Sequence, residues 1–183
     1  MYEQALHDRD AAWCQQHPLD DERQWSAQQL VEHLVMTYSN TSDVLEERLA
    51  KKRVTRNRST LLQRVLQIAS ISLGRFPHGL AAPSHVRPGQ LGWPSLNGAE
   101  LTTAMKDELE RMDELLEACR TRFGLQRVAS HFIFGPLRVD QWRRFHVIHA
   151  RHHMKQLAKI QKHVTSSNDS ISKSLPEKLH VPL

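Results

Sequence analysis

Cysteine is nearly absent from this chain: Cys14 and Cys119 are the only two in 183 residues, far apart and outside any Cys-x-x-Cys or Cys/His ligand spacing. That excludes a disulfide framework and a thiolate zinc ribbon, and it leaves two reduced thiols in a cytoplasmic protein as the expectation. Long apolar runs are lacking as well. No stretch of eighteen apolar residues occurs, and the opening MYEQALHDRD lacks the order of a signal peptide, so neither a membrane nor export is expected. There is no G-x-x-x-x-G-K phosphate loop, no G-x-G-x-x-G and no G-x-S-x-G, which disfavours nucleotide, dinucleotide and serine-hydrolase chemistry. Strand-like alternation of convincing length is missing too, and this points to an all-α fold.

What the chain does contain is amphipathic helix separated by breakers. A short N-terminal helix is expected from Glu3 to Gln16, ending before Pro18. Ser26 with Gln29 reads as a capping box opening a helix from about Ala27 to Lys52, with Leu30, His33, Leu34, Thr37, Val44, Leu45 and Arg48 on one stripe. A third helix is expected from Ser59 to Gly74, a partly buried strut with Leu62, Val65, Leu66, Ala69 and Leu73 on one side. Residues 74–98 then hold four of the eight prolines and five of the seven glycines, so a long loop that packs onto the body is expected there. Asn97 with Glu100 caps a fourth helix, striped by Leu101, Met105, Leu109, Met112 and Leu116 and stopped at Gly124. The last helix is expected from about Asp140 to Val164, after a turn at Gly135-Pro136.

The division that follows is one domain over 1–164, a four-helix bundle with an extra short N-terminal helix and a long Pro/Gly loop, and a polar, disordered tail over 165–183. The net charge of +5 is concentrated in part at KKRVTRNR, residues 51–58, where cations follow the negative end of a helix dipole. No aromatic residue interleaves them and no nucleic-acid motif accompanies them, so a nucleic-acid partner is not expected. Glu108, Glu110, Asp113, Glu114 and Glu117 read as the solvated face of the fourth helix rather than as catalytic carboxylates.

Four of the twelve histidines fall within FHVIHARHHMKQ, residues 145–156. At about 100° per residue, Trp142, His149, His153, Gln156 and Ile160 share one inward stripe, flanked by His146 and His152. Histidines at i and i+4 let two imidazoles converge on one ion. A catalytic site would need a third ligand from another helix, and His33 occupies the apolar stripe of its own helix. In a chain with this many histidines the same spacing also suits hydrogen-bonded core residues, and spacing alone leaves both readings open.

WSAQQLVEHL near the start, with a histidine eight residues after the tryptophan, and H-x-x-x-H-x-x-Q (His149, His153, Gln156) on the last helix resemble the DinB/YfiT-like superfamily of four-helix-bundle metal-dependent enzymes. HFIFGPLRVDQW and GRFPHGLAAP resemble a DinB-related branch of it. The resemblance covers roughly residues 20 to 162. It implies that His33, His149 and His153 bind a divalent transition metal, zinc or nickel before iron or manganese. It implies a small-molecule substrate, with a low-molecular-weight thiol or a water activated on the metal for transfer or hydrolysis, and a homodimer as a modest expectation. Gln156 is assigned the orientation of a ligand, and His131 the role of a proton carrier at the mouth of the site. The chain departs from the common H-E-x-x-H-R-G-Q pattern, having HARHHMKQ with Ala150 and Lys155 in place of the acidic and small residues. Trp25 and Trp142 are expected as core anchors, and His78 and His85 as loop histidines. The competing reading is a non-catalytic bundle with a structural metal or none, acting as a binding module.

Overall fold

The computed structural model describes residues 2–18, 21–74, 76 and 81–174, with side chains to Thr165. The chain is mostly helical, with one small two-stranded sheet. Its elements are α1 (Tyr2–Leu6), α2 (Ala11–Cys14), α3 (Ala27–Ala50), α4 (Leu61–Leu66) continued by a π-helical segment (Gln67–Ser72), a 3-10 turn (Ser84–Val86), α5 (Gly98–Phe123), the strands β1 (Ala129–His131) and β2 (Gly135–Leu137), and α6 (Val139–Ser174). Among the described residues no helix is long and apolar enough to cross a membrane.

The helix starts follow local chemistry. Ser26 Oγ accepts from Gln29 N–H at 3.2 Å while Gln29 Oε1 accepts from Ser26 N–H at 2.9 Å, and Asn97 with Glu100 repeats this box at α5. Each box satisfies N–H groups that the first turn leaves unpaired. Gly98, the first residue of α5, meets the backbone of α1 and of the turn after it: its N–H donates to Arg9 O at 2.8 Å, and a Cβ there would lie 1.6 Å from Leu6 O. Only glycine permits that approach. The N-terminal helix expected over residues 3–16 is therefore two pieces, α1 and α2. Asp10 caps the second by accepting from Trp13 N–H, since a short aspartate competes better at a cap than inside a helix.

The core lies between α3, α5 and α6, where Leu30, Leu34, Leu45, Leu101, Leu116, Leu157 and Ile160 are almost fully buried. The expected stripes of α3, α5 and α6 match this burial, except that Leu109 stays 41% exposed. The stripe expected on α4 does so only in part: Leu66 and Ala69 are half-buried, and Leu66 packs against the core. Leu62, Val65 and Leu73 are 68%, 61% and 67% exposed, and α4 buries no residue. The inward side of this stretch is carried by Gln67, Ser70 and Ile71 in the π segment. Gln67 Nε2 donates to Phe134 O at 2.5 Å and Pro136 O at 3.3 Å, so backbone acceptors act beside the buried Ile71 in fixing which side faces in.

Two features differ from the expected all-α chain. β1 and β2 form an antiparallel hairpin with Ala129 opposite Leu137 and His131 opposite Gly135, where only a turn was expected. Three-residue strands are too short to register as alternation. Gly135 supplies the positive φ of 67° that closes the hairpin. The last helix also runs past Val164 to Ser174. The remainder of the tail expected over 165–183 lies outside the described residues.

Candidate metal centre

α3 and α6 bring three imidazoles to one point. His33 Nε2 lies 3.2 Å from His149 Nε2, and His153 Nε2 lies 3.0 Å from the same atom. One ligand nitrogen from each residue falls within 4.8 Å of the other two, and all three side chains are buried. Imidazoles bound tetrahedrally at ~2.05 Å from a zinc would have nitrogens about 3.3 Å apart, close to the two short separations here.

The outer nitrogens decide what the inner ones can do. His33 Nδ1–H donates to Val86 O at 2.6 Å, and His153 Nδ1–H donates to Gln156 Oε1 at 2.6 Å. Both acceptors place the proton on Nδ1, so both Nε2 atoms present lone pairs toward His149. His149 is held differently: its ring is stacked between Phe76 and Phe145, at 5.0 and 5.4 Å, and its buried Nδ1 has no hydrogen-bond partner among the described residues. Burial lowers the pKa of all three, that of His153 to about 3 and that of His149 well below its ordinary value, and repulsion from neighbouring imidazoles, His152 among them, adds to the effect. Neutral imidazole is the ligating form. Converging lone pairs repel unless a proton or cation sits among them, so this donor set fits a metal ion.

The group opens on a cavity of about 470 Å³ whose walls are mostly apolar, among them Trp25, Leu30, Val44, Phe76, Phe132 and Ile133. Trp25, expected as a core anchor, is half-buried, packs against the core and also walls the cavity, 4.9 Å from the His33 ring and 6.0 Å from that of His153. Trp142 is 4% exposed and lines the cavity as well.

The expected long loop becomes part of the site because α3 holds it. Glu32 Oε2 accepts from Gly89 N–H and Oε1 from Leu91 N–H, both at 2.9 Å. Gln28 Nε2 donates to Pro94 O at 2.9 Å while its Oε1 accepts from Leu96 N–H at 2.8 Å. These contacts fix the segment whose Val86 carbonyl orients His33. The sequence reading missed Gln28 and Glu32. The available signal was a pair of polar residues four apart on a helix, just ahead of a histidine on its apolar stripe.

The remaining histidines divide. His131 is 8% exposed and lines the same cavity from the β-hairpin, and exposed His85 lines it from the loop. His146 is 3% exposed and outside the group. It stacks on Trp142 at 5.9 Å and meets Tyr38 edge-on at 5.3 Å, with neither ring nitrogen hydrogen-bonded among the described residues. His152 is half-buried and packs on Phe76 and on the edge of His153. His78 lies outside the described residues.

Fold and site together define a class: a mostly helical protein with a buried three-histidine group positioned to hold a metal ion. More narrowly, the model of a family described as "Protein of unknown function (DUF1569)" matches residues 82–160, less than half of the chain. The matched stretch takes in His131, His149, His153 and Gln156 and leaves out His33. No curated protein and no solved structure matches the chain.

Proposed function

We propose that this is a metal-dependent enzyme of the DinB-like class, with α3, α4 and its π continuation, α5 and α6 as the four helices of the bundle. In this reading His33, His149 and His153 hold a divalent ion, zinc or nickel before iron or manganese. The observation that carries it is the pair of outer hydrogen bonds, from His33 to Val86 O and from His153 to Gln156 Oε1, which turn two lone pairs inward beside the cavity. Burial in a core does not require that convergence.

A bound ion would supply Lewis acidity, lowering the pKa of a thiol or water held on it. The chain contributes the rest. Gln156 and the Val86 carbonyl orient two ligand rings, Phe76 and Phe145 clamp the third, and the apolar walls exclude water and receive a small molecule. No fourth His, Cys, Asp or Glu joins the group among the described residues, which favours a catalytic over a purely structural ion. Transfer to or from a low-molecular-weight thiol, or hydrolysis, is the corresponding reaction class.

The test is elemental analysis of protein purified without a histidine tag, beside a His149→Ala/His153→Ala variant. Near-stoichiometric zinc, nickel, iron or manganese in the wild type, lost in the folded variant, is the expected result. No metal in the wild type after reconstitution with each ion sinks the reading.

A further inference from the structure

Several of the polar groups lining the cavity are spent on the protein itself. Thr37 and Thr41 hydroxyls donate to backbone carbonyls on α3, Ser130 Oγ is engaged by Thr55 and Asn57, and Gln156 Oε1 is taken by His153. His131 is different. Its Nδ1 accepts two backbone N–H groups, from Ile133 at 3.1 Å and Phe134 at 3.3 Å, as the hairpin turns around it. A nitrogen that receives two donors carries no proton, so the neutral ring has its hydrogen on Nε2. Nε2 has no hydrogen-bond partner in the protein among the described residues. The ring itself sits among Phe134, Trp142 and Phe145, at 4.9, 5.6 and 4.5 Å. Phe145 also stacks on His149 at 5.4 Å, so one aromatic ring separates His131 from the three-histidine group.

We propose that His131 is the polar anchor of the cavity, an imidazole locked with its proton on Nε2 that donates a hydrogen bond to a carbonyl or carboxylate oxygen of a small, mostly apolar ligand. The inference rests on reading this cavity as a substrate site. The ligand class follows from complementarity. His33 and His153 offer lone pairs, the walls are apolar, and no Asp or Glu lines the cavity, whereas Arg23 and Lys159 do. An acidic oxygen is what the lining of such a cavity lacks, and a ligand oxygen would supply it. Burial pushes the His131 pKa down to about 3, so the ring stays neutral across the physiological range. A proton carrier would need its lone pair to face the reacting atoms, and here the lone pair faces the hairpin backbone. His131 is therefore a donor that positions an oxygen.

Two variants separate this role from a structural one. In His131→Asn, Oδ1 stands where Nδ1 does and keeps an acceptor for the hairpin N–H groups, but the Nε2–H is gone. In His131→Gln, the amide nitrogen reaches toward the Nε2 position while the hairpin loses its acceptor. The probes are benzoate and toluene, matched in apolar body and differing in the oxygen acceptor, titrated into metal-free and zinc-loaded protein. Long-range 1H–15N spectra of the imidazoles are recorded alongside.

We expect an Nε2–H tautomer that does not change from pH 8 to pH 5. Benzoate should bind the wild type more tightly than toluene, tenfold or more of that preference should disappear in His131→Asn, and part of it should persist in His131→Gln. Zinc content should be unchanged in His131→Asn. An Nδ1–H tautomer, no benzoate preference in the wild type, or an Asn variant that keeps that preference overturns the proposal. The metal reading stands or falls separately, on the zinc content.

Discussion

His153 and His146 sit two turns apart on α6, equally buried, and their surroundings have opposite consequences. His153 has Gln156 Oε1 behind it and two other imidazoles in front, so each ring nitrogen has a defined partner. His146 is enclosed by Tyr38, Trp142 and Phe145, and neither of its nitrogens is hydrogen-bonded among the described residues. One helix thus presents the same side chain once as an oriented ligand and once as a desolvated ring that the fold tolerates. What makes the difference is the acceptor behind the ring, because it decides where the proton sits and where the lone pair points.

Removing that acceptor should break the contrast most sharply. Gln156→Leu gives His153 the situation of His146, buried with a free Nδ1. Loss of such an orienting partner weakens metal affinity by roughly 10- to 100-fold. Competition for zinc against a chelator of known affinity measures it directly. An affinity unchanged by the substitution would show that Gln156 is a bystander.

The reverse change sharpens the same contrast. His146→Phe replaces a buried ring that lacks partners with an apolar ring among Trp142, Phe145 and Tyr38. An unsatisfied buried polar group costs on the order of 1–3 kcal/mol, offset by whatever crowding the larger ring introduces. The expected net gain in folding stability at pH 7 is about 1 kcal/mol, read from urea denaturation, with zinc affinity unchanged. His146→Leu is the smaller control. Destabilisation in both variants would mean that the imidazole has a partner the geometry does not reveal.

Much of this contrast was legible before any coordinates. The i, i+4 spacing and the apolar stripe on α3 brought His33, His149 and His153 forward, and helical rotation put Gln156 on the same stripe. The capping boxes at Ser26 and Asn97 are local chemistry and stand where the sequence places them. What was not legible depends on contacts distant in sequence. The partner of His33 Nδ1 is a carbonyl 53 residues away, delivered by a loop that Glu32 holds through two backbone N–H groups. The apolar stripe of α4 predicted a partly buried strut, and of that stripe Leu66 and Ala69 are half-buried while Leu62, Val65 and Leu73 are exposed, with Gln67 turned in to the hairpin carbonyls. Periodicity gives an amphipathic face and does not say which neighbour claims the helix.

The smallest expected effect is on the pH dependence of stability, and it tests whether His146 is buried as a neutral ring. Burial first, and the nearby His131 second, lower its pKa to about 3. An unfolded histidine titrates near ~6.5, so between these values the unfolded chain binds a proton that the folded chain refuses. Stability from this group is therefore fully present above about pH 6.5 and is lost progressively as pH falls toward about 3. Between pH 7 and pH 5.5 a single such group removes about 1 kcal/mol. His131 and the three metal-centre histidines add losses of the same sign, so the informative quantity is a difference: metal-free wild type minus metal-free His146→Phe, each denatured at both pH values. The variant should lose about 1 kcal/mol less than the wild type over that interval. Equal losses would mean that His146 is protonated as readily in the fold as outside it, and the sealed aromatic enclosure that distinguishes it from His153 would have to be open to water.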